Sequence, residues 1–313
     1  MDLSNEDGKE MIMQTQKKKV LVVGATGFLG RKILRKLMQY PHIDIKAMSR
    51  KGAPSDNEFA ALEWVKADML DAESLDLAMQ NVDIVISSAN GYMKESLDAD
   101  FQGNKNLAEA AARANVERFV FLSIVNSDEA ESVPHFHAKK VAEDVIKRTG
   151  IPYVFVRAPA FLDQTSDYIA DGFKAGRFYA IGDTTTKWSY ILTDDLADYL
   201  AQAAVYVGDD INNQSIDVGW KDGAKSQAEL IQMITEVTGK KLSTWTIPWF
   251  VFSLFVRPIK LFSELGYDML QMFLFFKKGR FVADISQHER FFGPAPVAKD
   301  VIKRWAKANQ FIK

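Results

Sequence analysis

The run Lys19-Val20-Leu21-Val22-Val23-Gly24-Ala25-Thr26-Gly27-Phe28-Leu29-Gly30 carries the clearest chemistry in the sequence. Its apolar residues predict a fully buried strand, and Arg31 to Gln39 predicts a helix. The glycines between them, 24, 27 and 30, suit a turn that holds a dinucleotide. Gly24 lets the chain leave the strand sharply, Gly27 lets the backbone approach a pyrophosphate, and Gly30 lets the helix lie close on the sheet. The helix start offers free N–H groups and a positive dipole end to phosphate. Gly24, Thr26, Gly27, Phe28, Leu29 and Gly30 are therefore expected to line a cofactor. A turn with incidental glycines is the plain alternative, and the strand before and helix after argue against it. Ile43 to Met48 predicts the second strand, ending at Ser49-Arg50-Lys51-Gly52. NAD-binding folds place an acid here for the ribose 2′-hydroxyl. This chain has none until Asp56. A guanidinium can grip a 2′-phosphate with paired hydrogen bonds, so Arg50 and Lys51 favour NADP over NAD. The alternative for these two is a solvated basic turn.

Further strands are expected at Glu63 to Ala67, Val82 to Ser88, Phe119 to Leu122 and Tyr153 to Arg157, with helices at Ser74 to Gln80, Asn104 to Ala114 and His135 to Arg148. Such alternation implies right-handed βαβ crossovers and a parallel sheet, with ligands outside the carboxyl ends of the strands. Gly24, Arg50, Asp68, Ala89 and Ser123 then share one rim, with Ser88 and Asn90 beside Ala89. On the His135 to Arg148 helix, residues 135, 139, 142 and 146 form one stripe. Lys139 therefore borders the buried face, where a lysine should be paired or functional. A ribose diol would suit it, and a stem that snorkels to solvent is the alternative. Imidazoles titrate near neutrality, so His135 could move protons. It could equally be a solvent-facing residue at a helix start.

The chain has 313 residues, 47% of them hydrophobic, enough for one large core or a core with a smaller lobe. A net charge of −2 gives no electrostatic case for nucleic acid as a main partner. With no cysteine there is no disulfide, thiolate nucleophile or cysteine-ligated metal, which fits a reducing, cytoplasmic setting. The histidines at 42, 135, 137 and 288 lack zinc-ligand spacing, so no metal is expected. Residues 1–16 are polar apart from Met11-Ile12-Met13 and read as a mobile tail without a secretory signal. The expected organisation is an α/β, Rossmann-like, doubly wound parallel sheet over 17–160. A smaller, mostly helical carboxyl-terminal lobe occupies 161–313, with 190–218 returning to the sheet. Later helices are expected at Asp194 to Val205 and at Ser226 to Thr238. The second opens on the capping box Ser226-Gln227-Ala228-Glu229, and a strand at Ser215 to Val218 lies between them. A monomer is expected.

Trp245 to Phe281 holds three apolar clusters, Trp249 to Val256, Ile259 to Phe262 and Met269 to Phe276, interrupted by Arg257-Pro258, Glu264 and Asp268. No run reaches the roughly 18 apolar residues of a spanning helix. The segment reads as a helical lid on the sheet, as the wall of a pocket for a large apolar molecule, or as peripheral membrane contact through 249–278.

Several motifs together resemble the short-chain dehydrogenase/reductases of the extended or atypical kind, and among them the NmrA-like NAD(P)-binding group. They are the glycine run, Ala67-Asp68-Met69, Asp100-Phe101-Gln102-Gly103-Asn104, Arg118-Phe119-Val120-Phe121-Leu122-Ser123, Val156-Arg157-Ala158-Pro159-Ala160-Phe161 and Thr193-Asp194-Asp195. The resemblance adds Met69, Ala158, Pro159 and Phe161 to the expected cofactor contacts. It places Lys139 at the family's lysine, with Glu143 four residues on, and Ser123 at its serine. The family's tyrosine is replaced by His135, which excludes tyrosine-type catalysis here. Two functions are implied. One is an NADP-dependent reductase of an apolar carbonyl or alkene, using Lys139 or His135. The other is a non-catalytic NADP-binding accessory protein that acts through a protein partner.

Overall fold

The computed structural model describes residues 17–55, 57–89, 96–163, 168–251, 254 and 263–313. The expected tail at 1–16, Asn90 and much of the apolar segment after Phe250 lie outside the described residues. The first half of the chain alternates as the sequence requires. It runs β1 Lys18–Val23, α1 Phe28–Leu37, β2 Ile43–Ser49, β3 Glu63–Lys66, α2 Ala72–Ala78 and β4 Ile84–Ser87. A wide π-type turn, Ser96–Gly103, leads into α3 Asn104–Arg113, followed by β5 Arg118–Ile124, α4 Pro134–Thr149 and β6 Tyr153–Ala158. Two helices start earlier than their apolar periodicity suggests. α1 opens at Phe28 because Gly30 already packs inside it. α2 opens at Ala72 because the Asp71 carboxylate caps the free N–H groups of Glu73 and Ser74.

The second half is less regular. Two-residue strands β7 Ala160–Phe161, β9 Lys187–Trp188, β10 Tyr190–Ile191 and β12 Lys225–Ser226 separate α5 Tyr168–Lys174, β8 Arg177–Ile181, α6 Thr193–Val205 and β11 Gln214–Asp217. The chain ends with α7 Gln227–Thr238, β13 Ser243–Ile247, α8 Glu264–Lys277, α9 His288–Phe292 and α10 Ala298–Ala308. The expected box at α7 is present, with Ser226 and Glu229 each satisfying the other's backbone N–H.

Seven strands form one sheet in the order β11-β6-β5-β4-β1-β2-β3. Every neighbouring pair is parallel. Side chains alternate between its faces. Val20, Val22, Ile84, Ile86, Val120 and Leu122 pack with Ile33, Leu34, Leu196 and Leu200 from α1 and α6. Leu21, Val23, Val85, Phe119 and Phe121 pack with Leu75, Leu107, Ala108, Ala142 and Ile146 from α2, α3 and α4. Burial of each such side chain contributes about 2 kcal/mol, which makes the doubly wound sandwich the stable outcome of near-continuous apolar strands. The later elements have a core of their own, with Phe173, Trp220, Leu230, Ile234, Val301 and Trp305 at its centre. Strand order reverses between β1 and β4, and the crevice at their carboxyl ends is where such sheets bind ligands.

Candidate functional site

The glycine turn sits at that reversal. Gly24 has φ +83°, and a Cβ there would stand 2.9 Å from the backbone N of Ala89, across from it at the end of β4. Gly30 admits no side chain either, since a Cβ would lie 2.0 Å from the Gly24 carbonyl oxygen. Gly27 serves differently. It is exposed with Thr26 and Phe28, and its N–H donates to the Gly24 carbonyl at 3.0 Å. No side chain caps α1, and its first turn contains no acid. Helical geometry leaves the opening N–H groups without intrahelical acceptors. Among the described residues no side chain caps the helix start behind this exposed loop, an electropositive arrangement that fits a diphosphate.

The other expected residues range along the same rim. The Ser88 hydroxyl donates to the Val23 carbonyl at 3.0 Å, joining β4 to β1 below Ala89. The Asp68 carboxylate accepts from the Leu70 N–H, and the Asn106 side chain donates to the Met69 carbonyl. Both bonds fix the turn after β3, the second from α3. Ala158 is buried at the end of β6, and Phe161 is half-buried just beyond Pro159. Arg50 and Lys51 are exposed in the turn after β2, which the Ser49 hydroxyl closes by accepting from the Lys51 N–H at 3.2 Å. Arg31 and Arg35 are both engaged with Glu58, and their hydrogen bonds, Arg35 first, hold its carboxyl below the usual range. Arg50 and Lys51 make no ion pair among the described residues, so they remain available to an added phosphate.

The reacting end of the rim is built on α4. His135, Lys139 and Glu143 follow one another at four-residue spacing, one turn apart on one face. Each meets a charged side chain from a different element. His135 Nδ1 lies 2.7 Å from Asp268 Oδ2 of α8. Lys139 Nζ lies 2.8 Å from Asp100 Oδ1 in the π-type turn, and 5.1 Å from the centre of the Phe121 ring. Glu143 is fully buried and takes a two-pronged grip from Arg157 of β6, at 2.9 and 2.6 Å. Burial works against the Arg157 charge, yet its bonds to Glu143 keep the guanidinium above its ordinary pKa. Lys139 is therefore buried and paired, as the stripe implied, but its present partner is a carboxylate. His135 does not simply face solvent, because its side chain is 21% exposed and its Nδ1 edge is sealed. Ser123, at the carboxyl end of β5, is 3% exposed, and its hydroxyl has no hydrogen-bond partner among the described residues. A buried hydroxyl without a partner is costly, and a ligand oxygen at this rim would satisfy it.

α8 covers this end. Phe275 and Phe276 pack with Phe281 onto Val125, Val133 and Phe136, at the loop after β5 and the start of α4. The irregular stretch after α8 is stitched down by hydrogen bonds. The Asn126 side chain donates to the carbonyls of Arg280 and Val282, and the Ser189 hydroxyl accepts from Ala283 N–H at 2.9 Å. Of the readings for 249–278, burial of aromatic faces against the sheet domain describes α8. Phe250 and Leu254, about 70% exposed, are not part of that packing. No described helix is long and apolar enough to cross a membrane. Asp268 was visible in the sequence only as an acid interrupting an apolar run. A groove of about 420 Å³ edged by Lys17, Tyr40, Ile43 and Glu63 lies where β1 and β2 begin, at the opposite end of the sheet from these residues.

Sheet order, the glycine turn at the reversal and the polar rim define a Rossmann-like α/β protein, the fold whose crevice at such a reversal receives ligands. Residues 16–290 match the NmrA-like family, and the chain belongs to it. It is 26% identical over 262 residues to the photosystem II assembly factor Ycf39 of Cyanophora paradoxa, which spans 82% of this chain and 79% of that one. An Escherichia coli NADPH-dependent quinone oxidoreductase, crystallised with NADPH, superposes with a TM-score of 0.74 at 20% identity over 91% of this chain and 99% of that chain. A triphenylmethane reductase from Citrobacter sp., complexed with NADP(H), superposes with a TM-score of 0.71 at 20% identity over the same shares. At these identities the structural likeness is one of fold.

Proposed function

We propose that this chain is an NADP-dependent reductase of a small apolar carbonyl, quinone or alkene, in which His135 and Lys139 stand in for the tyrosine-centred chemistry of its superfamily. The observation that carries this reading is convergence. An open glycine turn, a buried Ser123 hydroxyl without a partner among the described residues, and the His135 and Lys139 side chains of the α4 stripe meet along one sheet rim. The glycine turn would hold the diphosphate, Arg50 and Lys51 the 2′-phosphate, and Lys139 the ribose near the nicotinamide. NADPH would supply a hydride. The chain would orient the acceptor and supply a proton. Solved structures of the same fold that carry NADP(H) support the cofactor assignment.

A second reading is favoured by one observation. Similarity to the assembly factor Ycf39 fits a cofactor-binding accessory protein that works through a protein partner. Incubating the purified protein with NADPH and a panel of quinones, enones and aldehydes separates the two. The reductase reading expects turnover, and expects Lys139→Ala to lower it about 100-fold while NADPH still binds. Tight NADPH binding with no turnover across the panel, together with a co-purifying protein, would establish the accessory role instead.

A further inference from the structure

We propose that Asp268 is a positioning residue for His135. It holds the imidazole with its proton on Nδ1, so that Nε2 is the atom that exchanges protons with the substrate. The inference deepens the reductase reading above and rests on it for its chemical use.

The geometry is specific. Asp268 lies on the same α8 face as Met272, Phe275 and Phe276, the stripe that packs onto the start of α4. It is 3% exposed. A carboxylate on an apolar stripe is costly to bury, and a residue placed there only for packing would be apolar. Its Oδ2 meets His135 Nδ1 at 2.7 Å. Both atoms are sealed from solvent and stand without a hydrogen-bond partner among the described residues, so a slight turn of the ring would let each satisfy the other. Its Oδ1 accepts from the His135 backbone N–H at 3.4 Å, so one carboxylate fixes both the ring and the helix end that carries it. The edge of Phe136 flanks the imidazole, ring centres 4.4 Å apart. A carboxylate only accepts hydrogen bonds, so in neutral imidazole the proton must sit on Nδ1 and leave Nε2 with a lone pair. When Nε2 takes a proton the charge formed is balanced at 2.7 Å. When a carbonyl accepts a hydride, its oxygen gains the electron pair of the broken π bond and needs one proton. The ring donates to that oxygen only after Nε2 has taken a proton from solvent; giving it up returns His135 to the neutral form with its proton on Nδ1. Because Asp268 belongs to α8, the proton donor is fully set only while that helix is seated on the sheet.

A purely structural account also exists, in which Asp268 merely caps α4, whose Val133 cap residue has no side-chain hydrogen bond. The substitution Asp268→Asn tells the two apart. Asparagine keeps an acceptor for the His135 N–H and can offer an N–H to the ring, so it preserves the cap but reverses the tautomer. The measurement is ¹⁵N NMR of histidine-labelled protein at pH 8, with His135 assigned by His135→Gln. The expected result is an Nδ1-protonated ring in the native chain and an Nε2-protonated ring in Asp268→Asn, with thermal stability retained. Steady-state assays with NADPH and the best acceptor of the panel should show kcat lower by about 10- to 100-fold, with KM and NADPH affinity within about twofold. Met272→Ala, on the same face, should lower stability and leave the tautomer alone. An Nε2-protonated ring in the native chain, or the same tautomer in both proteins, overturns the proposal. If the tautomer reverses as expected but no acceptor is ever reduced, the reductase reading has failed, and the catalytic use of the pair falls with it.

Discussion

At the level of single residues, the proposed preference for NADP turns on Arg50. It stands in an exposed turn at the end of β2, makes no ion pair among the described residues, and has no acid beside it to hold a ribose diol. Arg50→Glu should weaken NADPH binding by about 100-fold and NADH binding by less than about threefold, read by titrating cofactor fluorescence, because only the former has a phosphate to lose and a new charge to repel. Equal losses for the two cofactors would place the 2′-phosphate elsewhere. The geometry of the glycine turn was legible because glycine acts through properties that survive in any context, freedom at positive φ and closeness of approach. Asp268 was not legible. An acid inside an apolar run is an interruption until the fold shows what it faces, and its partner lies on a distant helix. Asp100 was in view as part of a motif, yet nothing local to either residue announces that it pairs with Lys139.

At the level of elements, α4 and α8 depend on each other. α4 lines up His135, Lys139 and Glu143, and each is oriented by a charge from elsewhere: α8, the π-type turn and β6 respectively. α8 is held chiefly by Phe275 and Phe276, which with Phe281 form a cluster against Val133 and Phe136. Phe276 is 8% exposed and touches Trp188, Phe136 and Phe281 at ring-centre distances of 4.8, 6.2 and 4.7 Å. Phe276→Ala should cost about 3 kcal/mol in urea unfolding, and the loosened helix should carry Asp268 away from His135. A loss below about 1 kcal/mol, within the range of surface substitutions and not of buried aromatics, would show that α8 is not seated as described. The contrast with α7 is instructive. Its capping box was read from four adjacent residues and is present, because capping is a local exchange of hydrogen bonds. Seating of α8 could not be read, because the sequence from Trp245 to Phe281 is equally apolar whichever surface it covers.

At the level of the whole molecule, the parallel sheet with helices on both faces follows from the regular alternation up to β6 and the right-handed rule for crossovers. Beyond β6 the strands β7, β9, β10 and β12 are two residues long, too short to show a period, and there the sequence loses its hold on topology, although β11 was read at Ser215 to Val218. The two halves meet at Asp217, on the last strand of the sheet. Its carboxylate accepts from the Asp284 N–H at 3.0 Å, in the stretch that follows α8, and its strand partner in register is Arg157. Burial is the main cause that raises its pKa from 3.8 to about 6. The hydrogen bond from Asp284 and the Arg157 charge pull the other way, and the Asp284 and Glu143 charges add to the rise. The folded chain therefore binds this proton more tightly than the unfolded chain does. Between about pH 4 and pH 6 the folded state holds the proton that the unfolded state has released, so the Asp217 contribution to stability falls as pH rises through that window. His288 slopes the other way. It is fully buried between Tyr199 and Phe292, both ring nitrogens lack partners among the described residues, and burial lowers its pKa. Its contribution is present above the unfolded value near 6.5 and is lost as pH falls below it. The two slopes oppose each other in mildly acidic solution. Asp217→Asn keeps an acceptor for the Asp284 N–H and removes the cost of a buried charge. It should raise stability by about 2 kcal/mol at pH 7.5 and by almost nothing at pH 4.5, where the native carboxyl is already protonated. Urea melts at the two pH values test this directly. A gain that is equal at both, or a loss at pH 7.5, would mean that Arg157 and not burial governs the carboxylate that joins the two halves.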